Sequence, residues 1–405
     1  MTALSASMLL DPTVLDDPYE FYATLRTQAP VWTVPGTDIV AISTYELLSE
    51  AVARPDDFSS TMKCLLYRDQ DGLPARLDFG DAAMPTLATA DPPVHTTHRR
   101  SVFPELVARR MRTLEDDIRA LSATTVAQAL RHETFDFMAT IGNIVPITVV
   151  AKLIGFREIV PMQLLEVAFD STTMVGGTVS LDQLTVLVAR IGVIQNWITD
   201  QVTGTTDRDE DGILVAVRRA LDDGILAMGE VTTILHTLLS AGGESTTSLL
   251  GNAVRLLAES PALQQRLREK PEDVGVFVEE VLRLESPFRQ MMRSVPHDTR
   301  LGGVDIPAGS TVVLFFAAGN RDPAHFENPD KVDLNRGSPK NHLAFGHGIH
   351  YCVGAALARI EARAVLTELL EQTRGFALDA DHDPQWVDSL LVRRHAQLHV
   401  TATPR

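Results

Sequence analysis

With 405 residues the chain could hold two or three average domains or one large one, and its 45% hydrophobic and 22% charged residues are ordinary for a soluble globular protein. A net charge of −17 argues against a nucleic-acid partner or an anionic membrane surface. Two cysteines, Cys64 and Cys352, cannot make a disulfide framework, no signal-peptide pattern opens the chain, and the longest apolar run, Ile141 to Ile154, is interrupted by Asn143, Pro146 and Lys152; the expectation is a cytoplasmic protein without a membrane span.

Taken from the N-terminus, residues 17–30, opening on Asp17-Pro18-Tyr19, predict a short helix that Ala29-Pro30 ends, because the residue before a proline disfavours helical backbone. Val31–Val34 and Ile39–Ile42 flank Pro35-Gly36 and predict a hairpin, after which Thr44 is placed to cap a helix running to about Ala53. From Phe58 to Thr89 no period persists. Its scattered Leu65, Leu66, Tyr67, Leu77 and Phe79 suit either an apolar pocket wall or a loop packing on itself. Cys64 lies there without a partner motif and reads as structural. Asp91-Pro92-Pro93 opens a helix with His95 and Arg99 one turn apart on one face. Around it Arg99, Arg100, Arg109, Arg110 and Arg112 outnumber Asp91 and Glu105, giving either a docking patch for an acidic partner or a solvated helix face.

Helical patterns follow over 113–131, 138–154, 159–175 and, past Gly176-Gly177, 181–203. Asp207, Asp209, Asp211 and Gly212 imitate the start of a calcium loop, but position twelve is Arg218 where a bidentate Glu is needed, so the run reads as a solvated turn. The longest periodic segment, 229–258, would make a helix about 45 Å long, enough to cross a domain. Its middle, Ala241-Gly242-Gly243-Glu244-Ser245-Thr246-Thr247, is a poor helix former and predicts loosened or bent backbone, with Ser245 bonding back to the carbonyl four residues earlier. Tight packing would explain the glycines but not an acid in the middle of a buried helix. Pro271–Leu284 predicts another helix, on which Glu280 and Arg283 share a face; exposed, such a pair is weak. Arg293, Leu301–Ile306 and Thr311–Phe316 read as strands with turns, Asn320 to Asp330 as a polar meander with Arg336 near its end, and Ala355–Gln372 as a helix.

Between meander and helix stands Phe345-Gly-His-Gly-Ile-His-Tyr-Cys352-Val-Gly354. Gly346 and Gly348 let the backbone turn tightly and approach a flat partner, and Gly354 sits where loop passes into helix. A helix starting at about Val353 would aim unpaired amides at the Cys352 sulfur and favour the thiolate, the form that ligates metals. The alternative is a small buried hydrophobe beside an ordinary turn.

These motifs, in this order from Asp17-Pro18-Tyr19 to at least Arg363, resemble those of a bacterial cytochrome P450, a haem-thiolate monooxygenase. The resemblance implies a mainly α fold with a smaller β-rich part, one domain over 1–405 with strand-rich portions at about 31–42, 286–316 and 375–405, and haem b between a long central helix and the cysteine loop. It makes Cys352 the axial ligand, places Phe345 and Gly346 beside it, and gives the haem propionates to His95, Arg99, Arg293 and His350, the cationic donors that buried carboxylates need. Glu280, Arg283 and Arg336 become a structural ion-pair trio. Ala241 and Gly242 would leave room for dioxygen and substrate, Glu244 would relay protons, and Ser245, where the family usually has Thr, would hydrogen-bond dioxygen, with Thr246 as the alternative hydroxyl turned about 100° away. Leu65, Leu66, Phe79, Met174, Leu238, Phe288, Met291 and Met292 fall on segments that wall the family's substrate pocket. An apolar substrate, O₂ and a separate ferredoxin or flavodoxin with its reductase are implied. A peroxide-driven haem oxygenase, or a haem-binding or sensing protein without turnover, remains the alternative.

Overall fold

The computed structural model describes residues 4–80, 84–107, 111, 114–204 and 212–405. Arg109, Arg110, Arg112 and the Asp207–Asp211 run lie outside the described residues. The helix of Met228–Ala258 runs uninterrupted through the middle of the molecule and is buried on nearly every side from Leu239 onward. It packs against the helices Ile144–Ile154, Pro161–Met174 and Ala355–Gln372. Its glycines are where a neighbour comes close: a Cβ on Gly242 would sit 2.9 Å from Val150 Cγ2, and one on Gly243 would sit 3.0 Å from Ile147 Cδ1. Close packing offsets the roughly 1 kcal/mol helix penalty of each glycine, so the loosened backbone expected from the sequence does not form. The Ser245 hydroxyl does donate back to the Ala241 carbonyl, at 2.6 Å.

Among the described residues the strands form five sheets, three of them simple pairs. Val31–Thr33, Ile39–Ile42, Thr311–Leu314 and Met291–Ser294 form one sheet in that order, with the Ile39–Ile42 and Thr311–Leu314 pair parallel and the others antiparallel. Thr373–Leu378, His399–Pro404 and Thr134–Asp136 form a second. The stretch expected to lack periodicity contains a regular hairpin, Cys64–Arg68 on Pro74–Asp78, because Asp69 and Gly72 close its turn: Asp69 Oδ1 accepts from the Asp71 and Leu73 amides, and Gly72 takes φ +78°. Helices at Pro12–Asp16, Ile213–Asp222 and Pro261–Glu269 were not legible as separate periods. Among the described residues no helix is long and apolar enough to cross a membrane.

Polar side chains lock the meander to the helix Asp273–Leu284. Arg283 makes a two-pronged bond to Glu280, Nε to Oε1 and Nη2 to Oε2, both 2.9 Å, and Arg336 Nε meets Glu280 Oε1 at 2.9 Å. The expected trio is therefore assembled, and it is buried, with Glu280 and Arg283 side chains wholly inaccessible, so the weak-surface-pair alternative falls. The Arg283 guanidinium also donates to the Asn320 and Lys331 carbonyls at 3.1 and 3.0 Å, and the Asp333 amide donates to Glu280. At the other end of the chain, the Tyr19 hydroxyl donates to the Leu284 carbonyl and to the Glu285 carboxylate, tying the N-terminal helix to the same element. Thr44 does not cap the helix Tyr45–Val52; Asp322 of the meander accepts from the Tyr45 amide at 3.0 Å instead.

Candidate active site

A cavity lies between the central helix and the cysteine loop. Thr237, Ala241 and Ser245, spaced one turn apart, mark the helix side, while Phe345, Cys352 and Leu357 mark the other. Gly346 and Gly348 take φ of +68° and +69°, the left-handed backbone that L side chains rarely adopt, and the Cys352 amide donates to the Phe345 carbonyl at 2.9 Å. The loop thereby closes on itself with Cys352 at the cavity floor. The helix runs over Ala355–Gln372 as its pattern predicts, with Gly354 as its N-cap, so it starts two residues past the Val353 start considered for aiming amides at the sulfur.

Arg99, Ala241, Gly242, Arg293, Phe345, Gly346, His350, Cys352 and Gly354 all border this cavity. His95 does not, but its ring packs on that of His350 with centroids 4.2 Å apart. Of the residues expected to shape a substrate pocket, Leu238, Phe288 and Met291 border the cavity; Leu65, Leu66, Phe79, Met174 and Met292 do not. Leu65 and Leu66 are drawn into the hairpin, Leu66 packing in the cluster of Leu9, Leu10 and Leu390. Strand alternation turns Met292 away from Met291 and onto that same cluster. Phe79 stays beside the hairpin, its amide bonded to the Lys63 carbonyl, and Met174 ends its helix outside the cavity. The walls they were expected to supply come from Leu87, Ala88, Val150 and Ile154. The only sequence signal for the last two is that the helix Ile144–Ile154 is apolar except along the stripe of Thr148 and Lys152, as one with most of its surface buried must be.

Ser245 and Thr246 both border the cavity, so the turn between them does not exclude either. Glu244 does not reach it. Its carboxylate faces the C-terminal segment, where Arg394 Nε donates at 2.9 Å and the Thr172 hydroxyl donates to the second oxygen. Burial raises the pKa of Glu244, opposed by Arg394 and Thr172. Arg394 carried no signal in the sequence, because the pair spans 150 positions.

Over 388 residues the chain is 36% identical to cytochrome P450 144 of Mycobacterium tuberculosis, covering 95% of this chain and 89% of that one. The chain belongs to the cytochrome P450 family. Residues 274–392 match the family model described as cytochrome P450. The vitamin D(3) 25-hydroxylase of Pseudonocardia autotrophica is 31% identical over 404 residues, covering 98% of this P450 and 96% of that protein. Among solved structures, cytochrome P450 CREJ in complex with (4-ethylphenyl) dihydrogen phosphate superposes with a TM-score of 0.88 at 27% identity, covering 96% of this chain and 98% of that one. The protein is thus a monooxygenase of the oxidoreductase class with the P450 fold.

The residues of this P450 fit the haem that the family implies. Buried polar atoms without partners cluster at one edge of the cavity: His95 Nε2 and His350 Nε2. Arg99 and Arg293 border the cavity there, Arg99 donating to the Ile349 and Tyr351 carbonyls, and Asp91 is the acid whose charge reaches Arg293, His95 and His350; the guanidinium groups are the donors that a site for carboxylates needs. Burial, and the positive neighbours His95 and Arg293, push His350 down to about 3, and burial lowers Arg293 to about 10. Among the described residues no group of three or more His, Cys, Asp or Glu could hold a metal ion. Burial raises the Cys352 thiol, while the Gly354 and Ala355 amides and the guanidinium groups of Arg359 and Arg99 pull toward the thiolate.

Behind the loop, Arg359 stacks on the Phe345 ring, 4.4 Å from its centroid, and donates to Glu279 from Nε and Nη2 at 2.6 and 2.9 Å; His342 Nε2 lies 3.1 Å from the same carboxylate. Burial would raise the pKa of Glu279, but His342 and Arg359 outweigh it and bring it to about 2 from the ordinary 4.5. A carboxylate depressed in the folded state stabilises fully above the unfolded value and loses that contribution as pH falls toward the folded one. The melting-temperature gap between wild type and Glu279→Gln is therefore expected to be constant at neutral pH and to shrink between about pH 4.5 and 2. A gap independent of pH would show that the carboxylate charge does not hold the loop.

Proposed function

We propose that the whole chain acts as one domain binding haem b through Cys352 and inserting one oxygen atom of O₂ into an apolar organic substrate, with single electrons from a separate ferredoxin or flavodoxin and its reductase. The observation that carries this is a slot with a cysteine on its floor, Arg99, Arg293 and two partnerless histidine nitrogens gathered at one side, and the alcohols Ser245 and Thr246 on the opposite helix. When bound, a thiolate-ligated haem supplies dioxygen activation, the thiolate pushing electron density that favours O–O cleavage. The chain's own residues do the rest. His95, Arg99, Arg293 and His350 hold the propionates, and Phe345 with the loop amides shields the sulfur from water. Ser245 donates to Ala241, which leaves its lone pairs toward the cavity to accept, so it can pass a proton only by turning its hydroxyl. Glu244 lies one residue before Ser245, and its raised pKa lets it take up and release protons behind that hydroxyl.

Leu238 on the central helix, with Leu87, Phe288 and Met291 from other segments, gives the cavity an apolar lining, which favours an apolar ligand. The relative named as a vitamin D(3) 25-hydroxylase supports that class. Arg100, Phe103, Ile349 and Tyr351 are exposed on the cysteine side, a mixed basic and apolar surface suited to an acidic electron carrier. A screen of apolar ligands for a shift of the haem Soret band, followed by product analysis with a ferredoxin chain and with hydrogen peroxide alone, tests the proposal. Product from peroxide alone would favour the peroxide-driven alternative. No product from any ligand that shifts the band would leave a binding protein.

Serine at 245 lacks the γ-methyl that restricts threonine, so its hydroxyl has more rotamer freedom. Ser245→Thr is expected to raise the product formed per electron consumed, and an unchanged or lower ratio would sink this reading.

A further inference from the structure

The central helix presents to the cavity one polar side chain that none of the roles above uses. Of the residues of the helix Met228–Ala258 that border the cavity, only Thr237, Ser245 and Thr246 are polar. The walls supplied by the helices Ile144–Ile154 and Ile213–Asp222, and by Leu87 and Ala88, are apolar throughout. The remaining polar side chains among the described lining residues stand at the propionate edge, in the cysteine loop or, like Glu361, on the helix that follows the loop. Thr237 is thus the one polar point in the apolar part of the cavity. Its hydroxyl donates to the Thr233 carbonyl at 2.7 Å, which commits its only proton and leaves lone pairs to spare. Toward a ligand Thr237 can therefore accept a hydrogen bond but not give one. A ligand that shuts this oxygen off from water without offering a donor leaves it unsatisfied, which weakens binding.

We propose that Thr237 is a specificity-determining residue: it selects apolar substrates that carry a hydrogen-bond donor, a hydroxyl or an N–H, and fixes where along the skeleton oxygen enters. The proposal rests on the monooxygenase reading of the cavity. Ala241 lies one helical turn from Thr237 and Ser245 two turns, roughly 6 and 12 Å along the axis. A substrate anchored by its donor at Thr237 brings a carbon roughly 6–12 Å away to the stretch between those residues, where oxygen is delivered. A molecule with a ketone or carboxylate in place of the donor is disfavoured, because acceptor would then meet acceptor. A hydrocarbon without any polar group fits the walls but has nothing to fix its position along them.

The test uses the haem-loaded protein and two probes, n-dodecanol and its methyl ether, which keeps the oxygen and lacks the donor. Titrated by the shift of the Soret band, the wild type is expected to bind the alcohol about 10-fold more tightly than the ether, the size of one net hydrogen bond. Thr237→Val, which removes the hydroxyl and keeps the branched shape, should abolish that preference, and Thr237→Ser, which keeps the hydroxyl, should preserve it. With the ferredoxin chain, wild type should oxidise the alcohol at neighbouring carbons, whereas Thr237→Val should scatter product along the chain. No preference in wild type, a preference that survives Thr237→Val, or one lost in Thr237→Ser overturns the proposal. Absence of a shift with either probe overturns the apolar-ligand reading and the proposal with it. The expected preferences without product from either probe would instead overturn the monooxygenase reading and leave Thr237 as a binding residue.

Discussion

Serine in place of Cys352 is expected to abolish both the thiolate-type carbon monoxide spectrum and oxygenation, whereas Cys64→Ser changes neither. The two cysteines are chemically alike in sequence and opposite in setting. Cys352 ends a loop held by two left-handed glycines, with the Gly354 and Ala355 amides and Arg359 favouring its charged form. Cys64 is buried in the hairpin with its sulfur 3.2 Å from the Thr311 hydroxyl, and burial pushes its thiol up. A serine hydroxyl can keep that contact, so Cys64→Ser should cost about 1–2 kcal/mol of stability and leave the spectrum alone. A serine at 352 is a poor replacement for thiolate and takes away the electron donation on which O–O cleavage depends. Reduced carbon monoxide difference spectra and product analysis of both variants decide the matter. A thiolate spectrum surviving Cys352→Ser would assign the ligand elsewhere.

Arg283→Ala is expected to cost about 3–5 kcal/mol, enough to threaten folding and haem retention, because it strips one guanidinium from a wholly buried Glu280. Burial pushes the Glu280 carboxyl up, and Arg283, the Asp333 amide and Arg336 together hold it below the ordinary value. Without Arg283 only Arg336 and that amide remain, and the Asn320 and Lys331 carbonyls lose their donor. Arg283→Lys should not rescue the protein, since an ammonium cannot reproduce the fork that reaches both oxygens of Glu280 and carbonyls across the meander. Arg336→Ala should be milder, because the two-pronged pair survives it. Denaturant midpoints and haem content of the purified variants measure the effect. An Arg283→Ala protein as stable as wild type would make the trio incidental.

Local chemistry explains which parts of the architecture were legible in advance. The helices at Glu115–Ala129, Leu181–Gly204 and Ala355–Gln372 fall close to their sequence periods because each carries its own pattern of apolar and polar faces. The cysteine loop is legible for the same reason: its glycines, cysteine and following helix are contiguous. The hairpin of Cys64–Arg68 and Pro74–Asp78 shows no sequence period because each strand is only five residues long and its burial does not alternate, so no apolar-polar pattern builds up. Leu65, Leu66 and Met292 were expected in the pocket because they are apolar, and apolarity cannot say whether a side chain meets a ligand or a core cluster. Glu361 stands in step with the apolar stripe of Leu357 and Val365, the one feature of the sequence that points to a buried acid there.

Sequence alone determined the P450 family, the shape of the cysteine loop and the Glu280–Arg283 pair, since each sits in a contiguous motif whose spacing carries its geometry. Tertiary structure decided which way the carboxylates of the site face. Glu244 turns from the cavity to a guanidinium 150 positions later, while Glu361 remains unpaired beside it. A carboxyl group's protonation depends on which charges and how much water surround it, and those neighbours are assembled only by folding.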